Sequence, residues 1–104
     1  MIINVFRVHG PHERGVVERS ARAGWGRVVK CYKTHARGVS GLIAIEFEIS
    51  ENGKVLHVRR TRSTLKNREL AECLTQALLG LSMPTASRRS TATGEIRVAP
   101  GDPS

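Results

Sequence analysis

The chain has 104 residues and a formal charge of +8, from seventeen basic and nine acidic side chains. Apolar residues make up 39% of the chain and charged residues 25%, as is ordinary for one globular domain. No apolar run reaches the ~18 residues that a membrane-spanning helix needs, and the N-terminus lacks the pattern of a signal peptide. We therefore expect a single domain over residues 1–104, with a core at about 12–99 and a tail at 100–104. Its charge favours anionic partners.

The N-terminal part predicts a strand followed by a helix. Residues 1–9 are rich in β-formers and can form an extra strand. From His12 to about Arg37 we predict a helix, because apolar side chains recur at intervals of three and four residues. These side chains are Val17, Ala21, Trp25, Val28 and Tyr32. Two glycines flank Trp25, so a bend or a break is expected there.

A β-hairpin is predicted over Gly41–Thr64. In its first strand, large apolar side chains alternate with small or acidic ones, so one face is apolar and the other carries glutamates. The apolar members are Ile43, Ile45, Phe47 and Ile49. Asn52-Gly53 supplies the turn, and the second strand begins at Val55. Because a lone hairpin is marginal in water, other elements must cover the apolar face.

The C-terminal part predicts a second helix and a last strand. Asn67 is a suitable N-cap, and the helix ends between Gly80 and Pro84. Its apolar stripe consists of Leu70, Leu74, Ala77, Leu78 and Leu81. Residues 84–93 are expected to form a polar loop, and residues 94–99 a short strand.

The predicted order of elements is strand, helix, strand, strand, helix, strand. We therefore predict an α+β fold, a two-layer sandwich in which two helices cover one face of a small antiparallel sheet. The helices would supply the cover that the hairpin needs.

Side chains that could support catalysis show no arrangement typical of an enzyme. The four histidines lack the paired spacing of metal ligands; they are His9, His12, His35 and His57. Glu46 and Glu48 share a strand face, where pairing with Arg59 and the neighbouring strand explains them better than acid–base work. We therefore predict no enzymatic activity, no cofactor, no metal site and no small-molecule substrate.

Cys31 and Cys73 are the only cysteines, one on each predicted helix. Their spacing excludes a zinc knuckle or a CxxC redox motif. Two interpretations stay open. The cysteines could be buried free thiols, which behave as small apolar groups, or a disulfide, which would stabilise the fold by about 4 kcal/mol and indicate an oxidising compartment.

Nucleic-acid binding is the alternative function, because this order of elements also occurs in an RNA-recognition fold. That fold needs exposed aromatic side chains on its central strands. Phe47 instead shares the apolar face, and Glu46 and Glu48 on the other face would repel phosphate. Binding through the sheet is therefore disfavoured, and a basic surface is the remaining candidate. It consists of Arg59, Arg60, Arg62, Arg88 and Arg89.

Several short motifs follow one another in a recognisable order. They are Val28-Val29-Lys30-Cys31-Tyr32, the alternating strand from Gly41, Asn52-Gly53-Lys54-Val55, Ser63-Thr64-Leu65, and Cys73 on a helix that ends at Pro84. This set resembles the AgmX/PglI C-terminal domain family, within the wider TonB/TolA C-terminal group, over most of residues 16–99. The chain departs from the family at Leu81 and Met83-Pro84, where tryptophan and Phe-Pro are usual.

The resemblance implies a periplasmic, non-enzymatic protein-interaction module. Such a module is the C-terminal part of an inner-membrane-anchored cell-envelope protein, serving energy transduction, gliding motility or envelope-spanning transport. The resemblance also implies a disulfide between Cys31 and Cys73. It implies that the last strand is an edge that binds a protein or peptide partner by strand addition. The partner-binding residues would be Gly94, Glu95, Ile96, Arg97, Val98 and Ala99. A homodimer is compatible with this interpretation.

Two strand orders stay open at this point. A ferredoxin-like order places the first and last strands side by side. A TonB-like order places residues 41–50 in the middle, with the last strand on one side of them and residues 55–61 on the other.

Overall fold

The structure, a computed structural model, describes residues 2–35, 40–65 and 67–98, apart from the side chains of Ile2 and His35. The elements in this part of the chain are β1 (Ile2–His9), α1 (Arg14–Ala23), α2 (Gly26–His35), β2 (Gly41–Ile49), β3 (Val55–Ser63), α3 (Arg68–Leu79) and β4 (Ser90–Val98). The strands form one antiparallel sheet. The predicted α+β class is confirmed, with three helices in the described residues rather than two.

The predicted first helix is broken in two. α1 ends at Ala23 and is capped by Gly24, whose backbone N–H donates to the carbonyl oxygen of Ser20 at 3.3 Å. Leu81 packs against this turn. A Cβ added at Gly24 would lie only 2.7 Å from the Leu81 Cδ2 atom, so a side chain at this position would collide with Leu81. The break expected near Trp25 is therefore confirmed. The predicted helix end at about Arg37 lies outside the described residues.

The sheet has the order β1-β4-β2-β3. β4 is therefore an interior strand that pairs with β2 on one side and with β1 on the other. It begins at Ser90 rather than at Gly94. The prediction of a polar loop over residues 84–93 is wrong for residues 90–93, which belong to β4. In this part of the strand the threonines lie on the open face of the sheet, and the small side chains of Ser90 and Ala92 face the core.

The core lies between the helices and one face of the sheet. The four apolar side chains of β2 that the alternation predicted to face inward are all buried, namely Ile43, Ile45, Phe47 and Ile49. Side chains from each helix cover them, including Val17, Val28, Tyr32, Leu70, Leu74 and Leu78. Trp25 is only partly buried at the rim. The cover that the hairpin requires is thus supplied by the predicted helical stripes.

Candidate protein-interaction surface at the sheet edges

The predicted partner-binding edge on the last strand is occupied. Residues 94–97 of β4 pair with residues 2–5 of β1, and residues 94–98 pair with β2 on the other side. Ala99 lies outside the described residues. The expectation of a free edge at residues 94–99 is therefore not met, and a partner strand could pair with β4 there only in place of β1.

β1 is held on β4 by apolar burial and by close approach. Ile3 and Val5 expose only 1% and 2% of their surface in the core. At Gly94, a Cβ would lie 2.3 Å from the carbonyl oxygen of Asn4. The absence of a side chain at Gly94 thus lets the backbone of β1 approach β4 closely. The β1–β4 register shifts next to this position, between Val5 and Arg7.

The outer edge of β1 is covered by side chains of α1. The backbone N–H of Val5 donates to Glu18 Oε2 at 2.8 Å, and the carbonyl oxygen of Val5 accepts from Arg14 Nη1 at 2.9 Å. Arg22 Nη2 donates to the carbonyl oxygen of Ile3 at 3.2 Å. Both arginines also flank the Glu18 carboxylate, at 3.4 and 3.5 Å. Along Ile3 and Val5, main-chain groups that could pair with another strand are therefore already bonded to side chains of α1.

The outer edge of β3 is different. A bridge between Lys54 and Ser82 lies just before the strand begins at Val55. Within the described residues, no hydrogen bond joins the outer main-chain groups of residues 56–62 to another element. Most of these residues are exposed. In the described part of the chain, β3 therefore stays open to pairing along residues 56–62, whereas β1 is covered at Ile3 and Val5.

Ion pairs cross the open face of the sheet, the face away from the helices. Glu46 accepts from Arg59 Nη2 at 3.0 Å, and Glu48 accepts from Arg89 Nη1 at 3.0 Å. Glu95 accepts from Arg97 Nε at 2.6 Å, and its side chain is 12% exposed. The centre of this face is thus acidic, and its rim is basic.

The five arginines of the predicted basic surface do not form one patch. Arg59 and Arg62 lie on the open face of β3, opposite Glu46 and Ala44, whereas Arg60 lies on the helix side. There it lines a cleft together with Glu69 and Glu72 of α3. Arg88 is exposed in the loop before β4, and Arg89 pairs with Glu48. Carboxylates therefore neutralise part of this charge, which weakens its attraction for phosphate.

The disulfide between Cys31 and Cys73 is present, as the family resemblance predicted. It joins α2 to α3 across 42 residues of sequence, with the two Cα atoms 5.7 Å apart. Cys31 is buried, and Cys73 is partly exposed. Both line a cleft of about 400 Å³ whose rim carries Arg27 and Lys30.

One buried polar pair has no counterpart in the sequence-based predictions. His12 Nδ1 is hydrogen-bonded to Ser90 Oγ, and the backbone N–H of His12 donates to the same oxygen at 3.1 Å. His12 Nε2 is buried without a hydrogen-bond partner in the described residues. This contact fixes the β1–α1 connection to the first residue of β4. No local signal could reveal it, because 78 residues separate the partners.

Scans of the chain against protein-family models, curated proteins and solved structures give no match. Within the described residues, no helix has the length and apolar character to cross a membrane. Nor does this part of the chain hold a group of three or more His, Cys, Asp or Glu side chains suited to a metal ion.

Proposed function

We propose that this chain is a non-enzymatic protein-interaction module that works in the periplasm, as the C-terminal part of an inner-membrane-anchored cell-envelope protein. The observation that carries the proposal is the disulfide between Cys31 and Cys73. Disulfides form and persist in oxidising compartments and are rare in the cytosol. The resemblance to the AgmX/PglI family points to the same compartment.

The roles of the acidic side chains support binding rather than catalysis. Glu18 holds the edge of β1, and Glu13 caps α1 by accepting from two backbone N–H groups at 2.9 Å. Glu46, Glu48 and Glu95 are each paired with an arginine on the open face of the sheet. These carboxylates therefore cap a helix, bond a strand edge or pair with arginines, whereas general acid–base work needs a group that reaches a substrate.

Strand addition is the binding mode that the proposal includes. At residues 94–98 it requires β1 to leave β4. That step would expose Ile3 and Val5, whose burial is worth roughly 1.5–3 kcal/mol each, and would break the hydrogen bonds to α1. A partner at this position would therefore have to supply equivalent contacts.

The oxidation state of the cysteines in cells tests the proposal. Protein that carries this domain is denatured without reductant, directly from cells, and treated with a high-mass maleimide. We expect no labelling before reduction and labelling of both cysteines after it. A variant with Cys31→Ser and Cys73→Ser is the control and should stay unlabelled in both samples. Two reactive thiols in the unreduced sample would remove the support for a periplasmic location.

A basic nucleic-acid-binding domain is the less well supported alternative. The carboxylates of Glu46, Glu48 and Glu95 lie at the centre of the open face, where they would repel phosphate. Binding of DNA or RNA at low salt, with an affinity that falls steeply as salt rises, would favour this alternative.

A further inference from the structure

We propose that the outer edge of β3 binds an extended acidic segment of a partner protein by strand addition. The inference rests on the proposed function, because it names the surface and the partner chemistry for that interaction. Strand addition at β3 needs no rearrangement of the fold, whereas strand addition at β4 needs the release of β1.

The first argument is availability. β2 and β4 are interior strands, and Glu18, Arg14 and Arg22 cover the edge of β1 at Ile3 and Val5. In the described part of the chain, the outer main-chain groups of residues 56–62 have no partner from another element. Unpaired N–H and C=O groups along a strand are a template for another strand.

The second argument is a bulge that aligns two positive charges. Arg59 and Arg62 are three residues apart, so a regular strand would place them on opposite faces. The register between β2 and β3 shifts at Thr61, so that Arg59 lies opposite Glu46 and Arg62 lies opposite Ala44. Both arginines therefore face away from the helices, on the open side of the sheet.

The third argument is the capacity of these arginines for a further carboxylate. Arg59 donates one N–H group to Glu46, but its side chain is 70% exposed, and a guanidinium has five N–H donors. Arg62 is exposed and has an alanine opposite, not a carboxylate. An added strand with acidic side chains on the open face would thus place them beside two available cations.

The same charges argue against a second copy of this chain as the occupant. Two β3 edges paired with each other would bring two sets of three arginines together, which is unfavourable across neighbouring strands. Arginines on an edge, together with bulges, are known devices against self-association. An acidic partner strand would turn that repulsion into attraction.

A peptide titration tests the inference. The probe is an acetylated and amidated peptide of alternating glutamate and valine, about eight residues long, which is a usual strand length. It is added at low salt to the whole ¹⁵N-labelled chain, and amide chemical shifts are followed. We expect the largest shifts along residues 56–62. A peptide with N-methylated alternate amides, which cannot pair as a strand, and a peptide with lysine in place of glutamate should both lose binding.

Charge reversal at the edge provides the matched comparison. Arg62→Glu combined with Arg59→Gln should weaken peptide binding about tenfold, as expected for the loss or reversal of two cross-strand ion pairs. Arg62→Glu alone leaves the Arg59–Glu46 pair in place and should weaken binding in the same direction. Arg19→Glu combined with Arg7→Gln changes the net charge equally on α1 and β1, at the opposite end of the sheet, and should leave affinity nearly unchanged.

Several results would overturn the inference. They are an absence of peptide binding at low salt, shifts centred on β1 or the helices, equal binding of the N-methylated peptide, and equal losses in the edge and control variants. Such results would leave the proposed function standing if the cysteines are oxidised in cells. Free thiols in cells would instead count against the proposed function, whatever the peptide does.

Discussion

Glu18 on α1 accepts a hydrogen bond from the backbone N–H of Val5 on β1, with 2.8 Å between the carboxylate oxygen and the nitrogen. A side chain here takes the place that a neighbouring strand would occupy. The first helix therefore covers one edge of the sheet at Ile3 and Val5, and this part of the edge is less available to a partner strand than the outer edge of β3.

Removal of the Glu18 carboxylate should weaken the attachment of β1 to α1. Glu18→Ala should lower the free energy of unfolding by about 1.5–3 kcal/mol, because a partly buried N–H loses a charged acceptor. Urea denaturation measures this change, and hydrogen exchange at Val5 should become faster. Glu51→Ala, in the exposed hairpin turn, is the matched control and should change stability by less than about 0.5 kcal/mol. Equal effects of the two substitutions would contradict a role for Glu18 at this edge.

A methyl group at position 94 should loosen the pairing of β1 with β4. In Gly94→Ala, the new Cβ would collide with the carbonyl oxygen of Asn4, so we expect a loss of about 1–3 kcal/mol. Amide exchange should increase in β1 before it increases in the β2–β3 hairpin. Gly26→Ala meets no atom within 4 Å and lies at the start of α2, so it should be neutral or stabilising. Unchanged protection of β1 in Gly94→Ala would argue against the observed close approach.

Loss of the disulfide should reduce stability without changing the fold. For a loop of 42 residues, the chain-entropy model predicts a loss of about 4 kcal/mol. Comparison of urea midpoints for the oxidised protein and for Cys31→Ala with Cys73→Ala tests this value. A loss below about 1 kcal/mol would mean that the packing of α2 against α3 holds these helices without the bond.

Truncation of a core leucine on α3 should be costly, and truncation of a peripheral one should be milder. Leu74 is 1% exposed, and Leu74→Ala should lower the free energy of unfolding by about 2–5 kcal/mol. Leu79 is on the same helix but only partly buried, so Leu79→Ala should cost clearly less. Similar losses for both, measured by chemical denaturation, would contradict the burial of this helix face.

Stability should depend on the ionisation of Glu13. Hydrogen bonds from the backbone N–H groups of Gly15 and Val16 lower the pKa of this carboxyl below its ordinary value of 4.5. A carboxyl with a lowered folded-state pKa contributes stability above its unfolded-state pKa, and loses it as pH falls through the folded-state value. Glu13→Gln should therefore be less stable than the parent chain at neutral pH, and the difference should shrink in acid below about pH 4. Thermal melts across this range test it, and a difference independent of pH would be the contrary result.

Local patterns in the sequence predicted the inward-facing residues well. Alternation marked Ile43 and Phe47 as core, and helical spacing marked Leu70 and Leu74, because one face of each element must avoid water. Glycines beside Trp25 predicted the break that separates α1 from α2. The pairing of Cys31 with Cys73 came from the family resemblance, since residue spacing alone left free thiols as an open interpretation.

Contacts between distant segments could not be predicted in this way. The hydrogen bonds between β1 and α1 depend on Glu18 and Arg22, and these residues look like ordinary exposed charges on a helix. The start of β4 at Ser90 was missed because its inward side chains are small and its outward ones polar. Arg59 and Arg62 share a face only because the register shifts at Thr61.

The sequence by itself therefore determined the α+β class, the apolar faces of the helices and the hairpin, and the helices on which the cysteines lie. Periodicity carries that information, because side-chain direction repeats along each helix or strand. Only the tertiary structure decided which edge of the sheet is open. β1 covers β4 through main-chain hydrogen bonds that any residue can form and that leave no pattern in the sequence. α1 covers Ile3 and Val5 of β1 through side chains of Glu18, Arg14 and Arg22, whose partners lie in a different element.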